Sequence, residues 1–229
     1  MRKFFRQLLR TLIKIVILII ILSVGWVVLY KYVNPPITPL MIITYFEGAD
    51  RIEKKWRDYD EISDYMKLAV IASEDQKFPF HDGFDVQAIE EAIDDTRKGE
   101  RLRGASTISQ QTAKNVFLWP ERSWLRKGIE AYFTVLLEKI WGKRRILEVY
   151  LNVIETGVGI YGVEEAGEIY FRTPAYKINK EEAALIAATL PAPDILSAAD
   201  PSEYVRERQR WVMHQMGNLG GVSYLKNIK

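Results

Sequence analysis

From Ile15 to Tyr30 the chain contains no charged residue, and that run limits what the remainder can be. Carried back past Lys14 to Thr11, with the lysine stem reaching out to the interface, it attains the span of about 20 residues that a bilayer-crossing helix needs. Arg2, Lys3, Arg6, Arg10 and Lys14 precede it with no acid among them, whereas Lys31 stands nearly alone on the far side as far as Glu47. Basic residues collect on the cytoplasmic side of membrane helices, so the N-terminus is expected in the cytoplasm and the remaining chain outside. A cleavable signal peptide is the competing reading, with Ser23-Val24-Gly25 as its small-residue site; the apolar run continuing through Trp26, Val27, Val28 and Leu29 argues against it. Trp26, Tyr30 and Tyr32 are interface anchors.

Asn34-Pro35-Pro36 and Pro39 make a stiff exit from the membrane, followed by Met41 to Phe46, a short strand or a membrane-contacting segment. Almost everything beyond reads as helix. Asp85 caps a helix carrying Val86, Ile89 and Ile93 and ended by Gly99; Ser106 or Thr107 caps Ile108 to Asn115. Ser123 caps a long helix whose apolar stripe runs from Leu125 to Ile140, and Lys143 to Leu151 follows directly. Asn179 and Glu182 form a capping box ahead of an apolar helix stopped by Pro191 and Pro193, and Asp200-Pro201 with Glu203 opens the last helix, which bears Tyr204, Trp211 and Val212. The glycines between Thr156 and Gly162 indicate an irregular loop without the strand context of a nucleotide fingerprint. Val116 to Trp119, ended by Pro120, is either core or a segment dipping into the membrane surface. The expectation is a mainly α chain in three parts: a basic tail and transmembrane anchor over 1–32, a membrane-proximal linker over 33–60 and one helical domain over 61–229.

The absence of cysteine excludes disulfides, thiolate catalysis and cysteine-ligated metals. Two histidines are too few for a histidine-rich metal site, and a net charge of +2 gives no argument for nucleic acid. What remains for chemistry is carboxylates and clustered cations. Glu74 and Asp75 end an apolar helical run in which Met66, Ala69, Val70 and Ser73 share a face, with Asp60 or Ser63 as its N-cap. Phe78-Pro79 and Gly83 then break the chain into a tight loop. Walled by Phe78, Phe80 and Phe84, Glu74 is suited to accept a proton, although an acidic pair at a helix end is also what a solvated terminus looks like. His81, in the same loop, either braces it or reacts. A second acid, Glu130, follows Arg126 by one helical turn, with Lys127 beside it and Lys114 and Arg122 upstream. One such charge is an ordinary solvated side chain; several cations converging around a second acid suit an anionic leaving group such as a diphosphate.

These residues carry a resemblance to the peptidoglycan glycosyltransferases of family 51 and to their monofunctional members. The first motif is Glu74-Asp75-Gln76-Lys77-Phe78 with His81 and Gly83-Phe84-Asp85, and the second is Gly104 through Gln111 running on to Lys114-Asn115. The third is Arg126-Lys127-Gly128-Ile129-Glu130, the fourth Lys143 through Asn152, and a fifth region spans Tyr161 to Pro191. Val153 to Gly157 departs from the more aromatic stretch of bifunctional relatives, and Glu165 and Gly167 stand where alanines are common.

The resemblance implies a lysozyme-like helical glycosyltransferase domain, with a core lobe and a small membrane-facing jaw behind the single transmembrane helix. It implies polymerisation of lipid II into linear β-1,4 glycan strands with release of undecaprenyl diphosphate, and, from the chain's length, no transpeptidase activity. Glu74 is then the general base and Glu130 the second catalytic carboxylate. Lys114, Asn115, Arg122, Arg126 and Lys127 hold the diphosphate, directly or through Mg2+ or Mn2+ bound with it. Ser106, Thr107, Gln110 and Gln111 line the cleft, or the hydroxyl pair caps a helix; Asp75, Phe78, His81 and Gly83 support the loop. Expected partners are lipid II, the growing strand, the membrane, and cell-wall synthesis or division proteins, at the outer face of a bacterial inner membrane with the catalytic domain in the periplasm. A glycan-cleaving lysozyme or lytic transglycosylase would not need the cation cluster, and a non-catalytic peptidoglycan-binding module would not need both glutamates.

Overall fold

The uncharged run lies within α1 (Arg2–Tyr32), a helix of 31 residues, about 46 Å long at about 1.5 Å per residue. Among the described residues it is the one helix long and apolar enough to cross a membrane. The structure, a computed structural model, describes residues 2–49, 51–97, 106–121 and 123–228. Gly99, Gly104, Ala105 and Arg122 therefore lie outside the described residues. The chain forms two compact units, Met1–Asn34 and Pro35–Lys229.

In the second unit the segment Met41 to Phe46, read as a strand or a membrane-contacting stretch, is helical. Thr38 caps it by accepting the Met41 N–H, and Pro39 occupies a first-turn position where its missing N–H costs nothing, giving α2 (Pro39–Phe46). The region 33–60 also contributes β1 (Glu53–Lys54) and a 3-10 turn at Tyr59–Glu61. Then come α3 (Asp64–Glu74), α4 (Val86–Arg97), α5 (Ile108–Phe117), α6 (Trp124–Ile140) and α7 (Lys143–Val153). Between Thr156 and Gly162, where a loop was expected, the chain forms a small hairpin of β2 (Glu155–Gly157) and β3 (Ile160–Tyr161). Strand β3 pairs in parallel with β1, Glu53 opposite Ile160, so the order is β1-β3-β2. Strands this short show no alternation to read, and their pairing joins residues a hundred apart. The chain continues through α8 (Val163–Phe171), α9 (Lys180–Thr189) and α10 (Glu203–Asn218).

The core forms around α3 and α9. Every residue from Met66 to Ala72 and from Ala183 to Leu190 is buried, and helices apolar on all sides must lie inside. Alanines at 183, 184, 187 and 188 keep the α9 backbone reachable, and Ser73 Oγ on α3 comes within 3.2 Å of the Ala187 carbonyl. Lys67 enters this core because Asp64 takes its ammonium at 2.9 Å and the Tyr59 ring lies 4.3 Å away. On the other side, α5 packs on α6 and α7, with Phe117 stacked on Phe133 at 4.5 Å. Val116, Phe117 and Leu118 are buried, so this stretch is core. The capping box on α9 forms as expected, Asn179 Oδ1 accepting from Glu182 N and Glu182 from Asn179 N. Gly167 proves necessary: a Cβ there would lie 2.3 Å from the Thr173 carbonyl, where α8 ends and the chain folds back.

Candidate active site

Glu74 is the last residue of α3, half-buried, with both carboxylate oxygens engaged. Ser73 Oγ donates to Oε1 at 3.1 Å and Gln111 Nε2 to Oε2 at 2.9 Å. Gln111 is held in turn by the Tyr150 hydroxyl, 3.0 Å from its Oε1. Tyr150 is fully buried; burial first, then the charges of Glu74 and Asp75, push its pKa well above the ordinary phenol value, so it stays a neutral donor. A relay thus fixes the Glu74 carboxylate while leaving it on a cavity wall.

Asp75 next to it is buried and faces inward. His81 Nε2 lies 2.9 and 3.0 Å from its two oxygens, and the Ile108 backbone N–H at the start of α5 donates to Oδ2 at 3.0 Å. Because the Gly83 N–H donates to His81 Nδ1 at 3.1 Å, the ring hydrogen sits on Nε2 and points at Asp75. Thr107 Oγ1 closes the brace by donating to the Gly83 carbonyl at 2.7 Å. Gly83 has φ +90°, and a Cβ would stand 2.7 Å from Thr134 Cγ2. His81 is thus a brace. Of the three aromatics expected to wall Glu74, Phe78 is fully buried beneath Lys143, 4.6 Å from its ring, whereas Phe80 is largely exposed and packs on Tyr224.

Glu74 and Asp75 border a cavity of about 810 Å³ with Asp85, Ser106, Thr107 and, from α10, Tyr204, Glu207, Arg208 and Trp211. A second cavity, about 750 Å³, is lined by Ser106, Lys114, Asn115, Arg126, Lys127 and Glu130, among others. Ser106 belongs to both walls, so the two acids face adjoining spaces. Glu130 is 3% exposed; Arg126 Nη1 donates to Oε2 at 2.7 Å and Lys127 Nζ to Oε1. The acid aligns two cations along one helix face, and with Lys114 the wall carries an excess of positive charge. Arg126 Nε and Asn115 Oδ1 are buried without a hydrogen-bond partner among the described residues. Such atoms are costly unless a ligand satisfies them.

Both oxygens of Glu130 are occupied by cations, and among the described residues no three acidic or histidine side chains gather in a metal-ligating group. The described residues do not build a metal centre of their own.

Gln110 faces neither cavity; it completes the capping box on α5, its Oε1 accepting from Thr107 N at 3.0 Å. Thr107 is the cap and also borders the first cavity, while Ser106 lines both cavities. The α10 residues on the first cavity were not assigned to it from sequence. The available signal was their spacing: positions 204, 208 and 211 share a face, beside the one that carries the buried Val205, Val212 and Met216.

The family described as Transglycosylase matches residues 41–217. A protein of Pseudomonas fluorescens named biosynthetic peptidoglycan transglycosylase is 47% identical over 228 residues, covering 97% of this chain and 95% of its own. A protein of the same name from Stutzerimonas stutzeri is 49% identical over 229 residues, covering 98% and 95%. Another, from Chromohalobacter salexigens, is 45% identical over 234 residues, covering 99% of each chain.

Proposed function

Since the chain belongs to the transglycosylase family of the biosynthetic peptidoglycan transglycosylases, it is a glycosyltransferase that builds glycan strands, and we propose how its two cavities divide that reaction. The substrate is lipid II: a disaccharide-pentapeptide on undecaprenyl diphosphate. The growing strand, still on its lipid, places its diphosphate in the cationic cavity against Lys114, Arg126 and Lys127. The incoming lipid II presents its sugar 4-hydroxyl to Glu74 in the adjoining cavity. Glu74 takes the hydroxyl proton as the oxygen attacks C1 of the muramyl sugar; the C1–O bond to the diphosphate breaks, and its electron pair leaves on the phosphate oxygen. Attack from the face opposite the leaving group converts an α linkage into β. Cations held by Glu130 stabilise the charge that accumulates as that bond lengthens.

The observation that carries this reading is the meeting of the two cavities at Ser106, which gives an acceptor and a donor adjacent places with a base on one side and cations on the other. A divalent ion, where one participates, would arrive on the substrate diphosphate, because the described residues gather no cluster of acidic or histidine side chains to hold it beforehand. We further assign the N-terminus to the cytoplasm and the catalytic unit to the outer face of the inner membrane, from the basic residues before the apolar run. Trp124, 93% exposed, and Leu125, Tyr45 and Phe46 would meet the lipid surface where a polyprenyl substrate resides.

The test is purified full-length protein with labelled lipid II in detergent, read as polymer on a gel. Wild type should give polymer. Glu74→Gln should lower the rate about 10²- to 10⁴-fold, the range for a lost general base. Its fold should persist, because the amide oxygen still accepts from Gln111 while the Ser73 hydroxyl turns to Ala187 and accepts from the new NH2. Polymerisation by the variant at the wild-type rate removes Glu74 from the mechanism.

A further inference from the structure

The cavity beside Glu74 has a wall that the reaction as described leaves unused. Tyr204, Arg208 and Trp211 line it from successive turns of α10. Tyr204 and Trp211 are 58% and 43% exposed, while Val205, Val212 and Met216 bury the neighbouring face of the helix. Exposed aromatics on a cavity wall, with an arginine between them, are not needed for packing.

Arg208 is the unusual member. Its guanidinium carbon lies 5.8 Å from the Trp211 ring centre, and its Nε is buried with no hydrogen-bond partner among the described residues. Among the described residues it makes no ion pair. A buried donor without an acceptor is costly, and a ligand oxygen is what would satisfy it.

The charge of the wall restricts the ligand. Glu74, Asp75, Asp85 and Glu207 surround this space, and Arg208 is the single basic residue among the described residues lining it. A diphosphate or a peptide carboxylate would be repelled, whereas an uncharged saccharide is not. Aromatic rings offer flat apolar faces to the C–H side of a pyranose, and arginine donates in plane to a hydroxyl or acetamido oxygen.

We propose that Tyr204, Arg208 and Trp211 form the subsite that binds the acceptor's sugar, stacking it on the two rings and fixing one of its oxygens on Arg208, so that the 4-hydroxyl is presented to Glu74. These are positioning residues, and the proposal rests on the division of the two cavities given above. It predicts loss of acceptor affinity with little change in the chemical step.

The experiment separates acceptor from donor. Labelled lipid II whose 4-hydroxyl is capped by galactose acts as donor alone, and unlabelled lipid II is varied as acceptor; the labelled capped tetrasaccharide-lipid is measured with the full-length protein. Arg208→Gln should raise the half-saturating acceptor concentration about tenfold or more, the scale of one hydrogen bond from a charged donor. Its limiting rate and its dependence on the capped donor should stay within about threefold of wild type. Trp211→Leu and Tyr204→Leu, at exposed positions where folding is not at stake, should show the same pattern, and Trp211→Phe should recover most of the affinity. Unchanged acceptor dependence in these variants, or an equal rise in donor requirement, overturns the proposal while the transferase reading stands. A wild type that makes no polymer from lipid II overturns both.

Discussion

Replacing Asp75 with alanine tests whether the loop after Glu74 is held by one buried carboxylate. The side chain accepts from His81 Nε2 at 2.9 and 3.0 Å and from the Ile108 N–H at 3.0 Å, at a site 6% exposed. Alanine strands both donors. A buried unsatisfied N–H costs about 1–3 kcal/mol, so two cost about 2–6 kcal/mol. Local relaxation and a water in the vacated space favour a value near ~3 kcal/mol. For a chain of this size each kcal/mol moves Tm by about 2–4 °C, so thermal melting of the detergent-purified protein should fall by about 6–12 °C. Asp75→Asn should fall by less, because an amide oxygen at the Oδ2 position still reaches both donors. Polymerisation should drop on the order of 10- to 100-fold in Asp75→Ala, since the displaced loop begins at the residue after Glu74 and misplacement by an ångström is costly. A double-mutant cycle with His81→Ala should show strong coupling. An Asp75→Ala protein melting within about 2 °C of wild type would refute the brace.

Glu130→Gln leaves Arg126 and Lys127 without their shared carboxylate; polymerisation should fall on the order of 10²-fold, and an unchanged rate rejects the role given to Glu130. Gly83→Ala places a Cβ 2.7 Å from Thr134 Cγ2 at φ +90°, so denaturant titration should show a loss of about 2–4 kcal/mol; a loss below about 0.5 kcal/mol counts against the close contact. Burial alone pushes the Glu164 carboxyl up, but Arg57, the Ala175 N–H and Lys55 together hold its pKa below the usual carboxylate value. Its contribution to stability is therefore complete above the ordinary carboxylate range and is lost as pH falls through the lower folded value. Between neutral pH and about pH 3 the stability of wild type should fall more steeply than that of Glu164→Gln; parallel profiles would contradict this.

Much of the molecule was legible in local residue order because local physics decides it. The uncharged run, the caps at Thr107, Ser123 and Asn179, and the all-apolar α9 are set by neighbours within a turn or two. Glu130 with Arg126 and Lys127 is likewise a one-turn relation. The small sheet was not legible, because two-residue strands carry no periodicity and β1 meets β3 only after the intervening helices pack. Gln110 and Gln111 are adjacent and chemically alike, yet one caps its own helix and the other holds Glu74; only the direction in which α5 faces α3 separates them. The sequence alone determined most of the long helices, though not Pro39–Phe46 or Val163–Phe171, and it determined which segment can enter a bilayer and which acids and cations are available. The tertiary packing decided which of them share a space, since burial of Asp75, the junction at Ser106 and the arrival of α10 beside Glu74 all depend on contacts between segments far apart along the chain.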